Sequence, residues 1–223
     1  MNTSCNVCVD VWGDYALFTQ PDAKVERVTY DVPTPSGCRG VLNAIYSKPA
    51  EFYYEITGIE VMNPIRYYSM KRNEVARKAD KKLGPIYVEE ERTQRGSVML
   101  KDVYYRIHAK MHVREDAPKE VNVLKIQHEF NKRIRRGKCF YQPYLGTREC
   151  MAFFAPPDQT KKPIDESKDL GYMLYDIFDI RSNVPLDTEM KTGSKRVTVF
   201  HAVMNHGRIS IPPYDVVTGG TDV

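Results

Sequence analysis

Residues 104–113 read YYRIHAKMHV, and their alternation decides the fold. Tyr105, Ile107, Ala109, Met111 and Val113 fall on one side of an extended chain, and Tyr104, Arg106, His108, Lys110 and His112 fall on the other. Such a strand packs one face and leaves the other free to bind. Downstream, Asp116 or Lys119 is expected to open a helix that runs to Arg136, with Gly137 just past its end. Val123, Ile126, Phe130 and Ile134 form its apolar stripe, and Lys125, His128, Lys132 and Arg136 form a polar row on the other side. Another strand is predicted from Arg148 to Phe154. Upstream, Val7, Val9 and Val11 alternate with polar neighbours in a strand that leads into Trp12–Phe18. Ser36 is the expected N-cap of a short helix ending near Tyr46, before Pro49, and Phe52, Tyr54 and Ile56 mark the next strand. An irregular basic stretch then runs to about residue 95.

Strand, helix, strand, insertion, strand, helix, strand is the βαββαβ order of an α+β, ferredoxin-like domain, the plan of RNA-recognition domains, here placed at residues 1–156. The polar, proline-containing run DQTKKPIDESKD (158–169) is the expected linker to a small antiparallel β domain over residues 157–223. Leu174–Ile180, Arg196–Met204 and Arg208–Ile211 are its strand candidates, the last two joined at Asn205-His206-Gly207.

Composition narrows the function. The 223 residues carry 33 Lys and Arg against 29 Asp and Glu, a net charge of +4, so charge matters only where it is concentrated. No apolar run approaches a membrane span, and the N-terminal sequence lacks the pattern of a secretory signal, so a cytoplasmic protein is expected. Five scattered cysteines are then expected as free thiols, and Cys5 and Cys8, three apart on a strand, point to opposite faces and cannot share zinc. His108 and His112, some 13 Å apart along a strand, cannot share a metal either. Phosphate-loop, dinucleotide, zincin and serine-hydrolase motifs do not occur, and neither metal nor cofactor is expected.

Two local basic surfaces remain. Residues 119–138 hold seven Lys or Arg against two Glu, and residues 66–82 hold seven against Glu74 and Asp80. Tyr67, Tyr68, Tyr104 and Tyr141 lie beside them, the mixture that stacks unpaired bases and neutralises phosphates. Candidate RNA contacts are Arg39, Lys48, Arg66, Tyr68, Lys71, Arg72, His108, Lys132, Arg133, Arg136, Lys138 and Arg148.

The segments WGDYALF (12–18), VERVTYDVPTPS (25–36), AIYSKPA (44–50), NPIRYYSMKRNEV (63–75), FNKRIRRGKCFYQPYLGTRE (130–149) and VFHAVMNHGRI (199–209) resemble the fifth family of CRISPR-associated proteins in its type I-C (Dvulg, "d") subtype. The resemblance spans most of the chain. It implies a RAMP-type endoribonuclease that cuts precursor CRISPR RNA at the base of the repeat hairpin and stays in the crRNA-bound surveillance complex. It implies repeat RNA and the other complex subunits as partners, and the isolated chain is expected to be a monomer.

The family's catalytic tyrosine stands in a motif like AIYWKP, which maps onto Ala44–Pro49 and assigns Tyr46. A pattern like KHYxxFxRR, laid over residues 125–133, gives Lys125 for the lysine but Ile126 for the histidine. His128, one helical turn from Lys125, is the candidate substitute; otherwise tyrosine and lysine act alone. Tyrosine is a poor base near neutral pH unless an ammonium such as that of Lys125 lowers its pKa. The rival reading is a non-catalytic subunit that binds the crRNA 5′ handle, as in similar proteins of other type I subtypes.

Overall fold

A computed structural model describes residues 3–23, 25–78, 80, 84–179, 185 and 195–219. Its elements, in order, are β1 (Ser4–Ala16), β2 (Arg27–Val28), α1 (Pro35–Ile45), β3 (Phe52–Val61), β4 (Tyr67–Val75), α2 (Val88–Glu91), β5 (Arg92–Val113), α3 (Val123–Arg136), β6 (Phe153–Ala155), β7 (Lys168–Asp179), β8 (Lys195–Asn205), β9 (Arg208–Ser210) and α4 (Tyr214–Thr218). The chain is a mixed α/β protein. Among the described residues no helix is long and apolar enough to cross a membrane.

The sheet runs β6-β1-β5-β3-β9-β8-β7, with β2 and β4 added on β5. Along that path every pair is antiparallel. The alternation at 104–113 sets the register of its centre: Val7, Val9 and Val11 stand opposite Ala109, Ile107 and Tyr105, while Tyr54, Ile56, Ile59 and Val61 of β3 flank the same residues of β5. All are buried, and Ile126, Phe130 and Ile134 of α3 and Val41, Leu42 and Ile45 of α1 close over them. Burying each such side chain contributes about 1.5–3 kcal/mol, so this interleaved layer fixes which strand face is inside. The C-terminal strands continue the same sheet through β9, which pairs with β3 at Ile59 and Ile209.

Several boundaries differ from the sequence expectation for local reasons. The first helix is capped by Thr34 rather than Ser36: Thr34 Oγ1 accepts from Gly37 N–H at 3.1 Å, and Pro35 occupies the first turn. The second begins only after Asn122, whose side chain accepts from Leu124 N–H at 2.9 Å. It ends at Gly137 in the left-handed conformation, φ 61°, as its glycine predicts. The basic stretch before residue 95 is not irregular. It forms the β4–β5 hairpin, with Tyr67–Val75 paired to Arg92–Leu100. The strand expected at Arg148–Phe154 is reduced to Phe153–Ala155, because residues 144–151 turn tightly around Gly146 (φ 85°). Gly146 lies so close to Leu17 that a Cβ there would stand 2.0 Å from the Leu17 carbonyl oxygen. Ile180, the end of a predicted strand, lies outside the described residues.

The polar face of β5 is less open than its own sequence implies. Asp10, fully buried on β1, takes a two-pronged ion pair from Arg106 at 2.7 and 3.0 Å and a 2.9 Å hydrogen bond from Asp158 N–H. Lys161 sits over the Tyr104 ring at 3.8 Å, so the segment after Pro157 covers this end of the face. Glu60 lies 3.4 Å from His108, and the Glu55 carboxylate accepts from His112 Nε2 at 2.6 Å. Carboxylates from neighbouring strands therefore balance the cations that β5 alone displays.

Candidate active site and RNA interface

Tyr46 is the C-cap of α1, where its N–H still donates to Leu42 and its carbonyl accepts from the Tyr54 hydroxyl at 2.7 Å. Its side chain packs against Phe52 with ring centroids 5.3 Å apart, and the residue is only 6% exposed. Above the ring, at 4.8 Å, lies the Arg133 guanidinium of α3. Arg133 also donates to the Ile45 carbonyl at 3.3 Å and to Glu129 at 3.1 Å. One arginine therefore satisfies an end carbonyl of α1, steadies the tyrosine by a cation–π contact and ties the two helices together. Arg133, expected on the RNA surface, is instead a half-buried structural neighbour of Tyr46.

Burial pushes the Tyr46 hydroxyl above the ordinary phenol value. Lys48 and Arg133 pull it down, Glu51 and Glu129 push it up, and the net direction is upward. The phenol is thus neutral across the physiological range. An ammonium-activated tyrosinate, the form the sequence reading required of a base, is not what these surroundings favour; they favour a hydrogen-bond donor.

Lys125 and His128 are both exposed on α3, and no contact joins either to Tyr46. At 100° per residue, Lys125, His128, Lys132 and Arg136 share the side of the helix opposite the apolar stripe, with Lys132 farthest from the core and Arg133 on the flank between that side and the stripe. Lys125 is about 12 Å along the axis from Arg133. The outer side is open to a polyanion: Arg136 and Lys138 are exposed, and Lys132 reaches only Glu129 at 3.8 Å.

The remaining candidates scatter over the molecule. Arg39 does not reach the surface: it is buried in α1 and makes a two-pronged ion pair with Asp176 of β7 at 2.7 and 2.9 Å. Lys48 pairs with Glu51 at 2.7 Å beside Tyr46 and remains largely exposed. Tyr68, Lys71 and Arg72 stand on the β4–β5 hairpin, with Tyr68 against Tyr15 (5.4 Å) and Arg72 paired to Glu149. Arg66, exposed, lies 3.9 Å from Asp102, and Arg148 is exposed on the turn before β6. His108 is half-buried.

Sequence reasoning missed Phe140. Its N–H and that of Tyr141 both donate to the Ala44 carbonyl, at 2.8 and 3.2 Å, which pins an aromatic pair two residues from Tyr46. Phe140 is 76% exposed, an unusual position for phenylalanine, at the end of the most basic helix. The signal was the GKCFY run directly after that helix.

Comparison with known proteins follows this geometry. Residues 7–212 match the family model Cas_Cas5d, described as "CRISPR-associated protein (Cas_Cas5)". A Thermus thermophilus protein named "CRISPR pre-crRNA endoribonuclease Cas5d" is 40% identical over 211 residues, covering 92% of this chain and 90% of that protein. A Mannheimia succiniciproducens protein of the same name is 38% identical over 223 residues, covering 92% and 93%. A solved structure titled "Crystal Structure of CRISPR-associated Protein" superposes with a TM-score of 0.68 at 24% identity, over 100% of this chain and 97% of that one, which shows a shared fold. With nearly the whole length matched by both sequence and backbone, the chain belongs to the CRISPR-associated Cas5 family, in its Cas5d branch.

Proposed function

We propose that this protein is an endoribonuclease that cleaves precursor CRISPR RNA within the repeat and stays bound to its product in a surveillance complex. The observation that carries this reading is the 38–40% identity, across nearly its full length, to relatives named for that activity. Its framework is ferredoxin-like: the order β6-β1-β5-β3 with α1 and α3 on the apolar face is that of a βαββαβ unit, and the β4–β5 hairpin is its extension.

Cleavage proceeds by attack of the RNA's own 2′-OH on the adjacent phosphate, giving a 2′,3′-cyclic phosphate and a 5′-OH. The protein contributes alignment, charge and proton transfer. Tyr46, held neutral, donates to a phosphoryl oxygen or to the departing 5′-oxygen. Lys125 and the exposed cations beside it hold the phosphates as charge builds in the transition state. His128 accepts the 2′-OH proton where RNA bends over the outer face of α3.

Two observations favour the non-catalytic reading: Tyr46 is 6% exposed, and isoleucine stands where the family pattern places histidine. Incubating the protein with repeat RNA in EDTA separates the two. Cutting in EDTA that stops when the nucleotide upstream of the cut is 2′-deoxy is the expected result. Tight binding without cutting, under any condition, would establish the binding subunit instead.

A further inference from the structure

Where β1, the β4–β5 hairpin and the turn before β6 meet, the surface holds a cavity of about 500 Å3 that no step of the proposed cleavage uses. Tyr68, Met70 and Arg72 alternate onto one face of β4 and line it from one side, with Met99 paired opposite Tyr68 in register. Tyr15 stands against Tyr68 at 5.4 Å, tilted by 44°. The walls are therefore aromatic rings and thioethers, and one polar device is set among them. Arg72, its side chain 16% exposed, directs one terminal nitrogen to Glu149 and the other to the Met99 sulfur at 3.6 Å. Its Nε–H is buried and has no acceptor. Glu149 is 56% exposed, so its carboxylate keeps room for further donors.

An aromatic slot beside an anionic acceptor with spare lone pairs describes the edge of its ligand, a planar ring with two adjacent donors. We propose that this cavity captures one unpaired guanine of the RNA. This rests on the RNA-processing function proposed above. Guanine's Watson–Crick edge offers O6 as acceptor, then N1–H and the 2-amino group as donors. The two donors meet the Glu149 carboxylate, while the base stacks on Tyr68. Uracil turns O2 toward that carboxylate, and adenine N1 and cytosine N3 are acceptors where guanine has its N1–H donor.

The test is equilibrium binding of a repeat RNA whose guanines are replaced by adenine one at a time. Wild-type protein should single out one position, where the replacement weakens binding about tenfold and inosine, lacking the 2-amino group, weakens it less. Glu149→Gln should erase the preference at that position alone, and Tyr68→Ala should weaken binding whichever base stands there. Unchanged melting of Glu149→Gln checks that the fold persists. Tight binding with a base preference that Glu149→Gln leaves intact, or with no guanine singled out, overturns the pocket but not the RNA function. Failure of the wild-type protein to bind any repeat RNA overturns both.

Discussion

Replacing Arg39 by alanine separates what the sequence suggests from what the fold does. As a surface cation it would be a phosphate contact; in the structure it reaches 137 residues along the chain to Asp176, and the two side chains are 10% and 2% exposed. Removing the guanidinium leaves a carboxylate unpaired beneath α1, and breaking a buried pair from one side costs about 3–5 kcal/mol. For a chain of this size each kcal/mol lowers Tm by about 2–4 °C, so Arg39→Ala should melt about 6–20 °C early by calorimetry. Below that transition, repeat-RNA affinity and its dependence on salt should match wild type. The double variant Arg39→Met with Asp176→Leu should recover much of the stability, since apolar replacements leave no buried charge. If Arg39→Ala melted within about 1 kcal/mol of wild type and instead lost RNA affinity, with a salt slope shallower by about 0.7, the reasoning would be refuted.

Other outcomes follow from the same geometry. Tyr46→Phe removes only a hydroxyl and should slow single-turnover cleavage about a hundredfold or more with RNA affinity nearly kept. With the protonated phenol as the proposed working form and its pKa raised, Tyr46's contribution should be present throughout pH 6–9 and disappear only as pH rises past the ordinary tyrosine value of about 10; a loss already complete by pH 8 would rule out this assignment. Reversing Lys132, Arg135 and Arg136 to Glu should weaken binding across RNA sequences and lower the salt slope by about 2, with the helix content unchanged by circular dichroism. Arg133 belongs outside that set, since its loss removes a bond to Ile45 and a contact with Tyr46, and Arg133→Ala should lower both stability and rate.

The parts of the fold that pack were legible from sequence, because packing leaves a period. Tyr105, Ile107, Ala109 and Met111 and the stripe Val123, Ile126, Phe130 and Ile134 are buried as their spacing requires. The β4 strand left no such trace: none of its side chains is buried, although Met70 packs against the core, and charged residues on both faces hid a regular strand. Thr34 as the helix cap was written in the Thr-Pro pair, but Ser36 competes by composition alone. Arg39 and Arg133 looked like surface cations because their partners, Asp176 and Tyr46, are distant in sequence. The motif singles out Tyr46 only as a candidate, and its burial and the four charges around it depend on β3 and α3 meeting α1. A linear pattern carries nothing about that meeting.

The seating of β9 against β3 bears on how the chain acquires its shape. Tyr214, just beyond β9, gives its hydroxyl proton to the Tyr54 carbonyl, 160 residues earlier, and its N–H to Glu55. A strand near the centre of the sheet thus waits for residues synthesised 160 positions later. Such distant pairing must pay loop-closure entropy before any contact rewards it, which places folding toward the slow, millisecond-to-second end. Until then the β3 edge is an unpaired row of amides and carbonyls on a growing chain, open to association with other chains. Truncation before Arg208 would make that exposure permanent and should increase aggregation of the product.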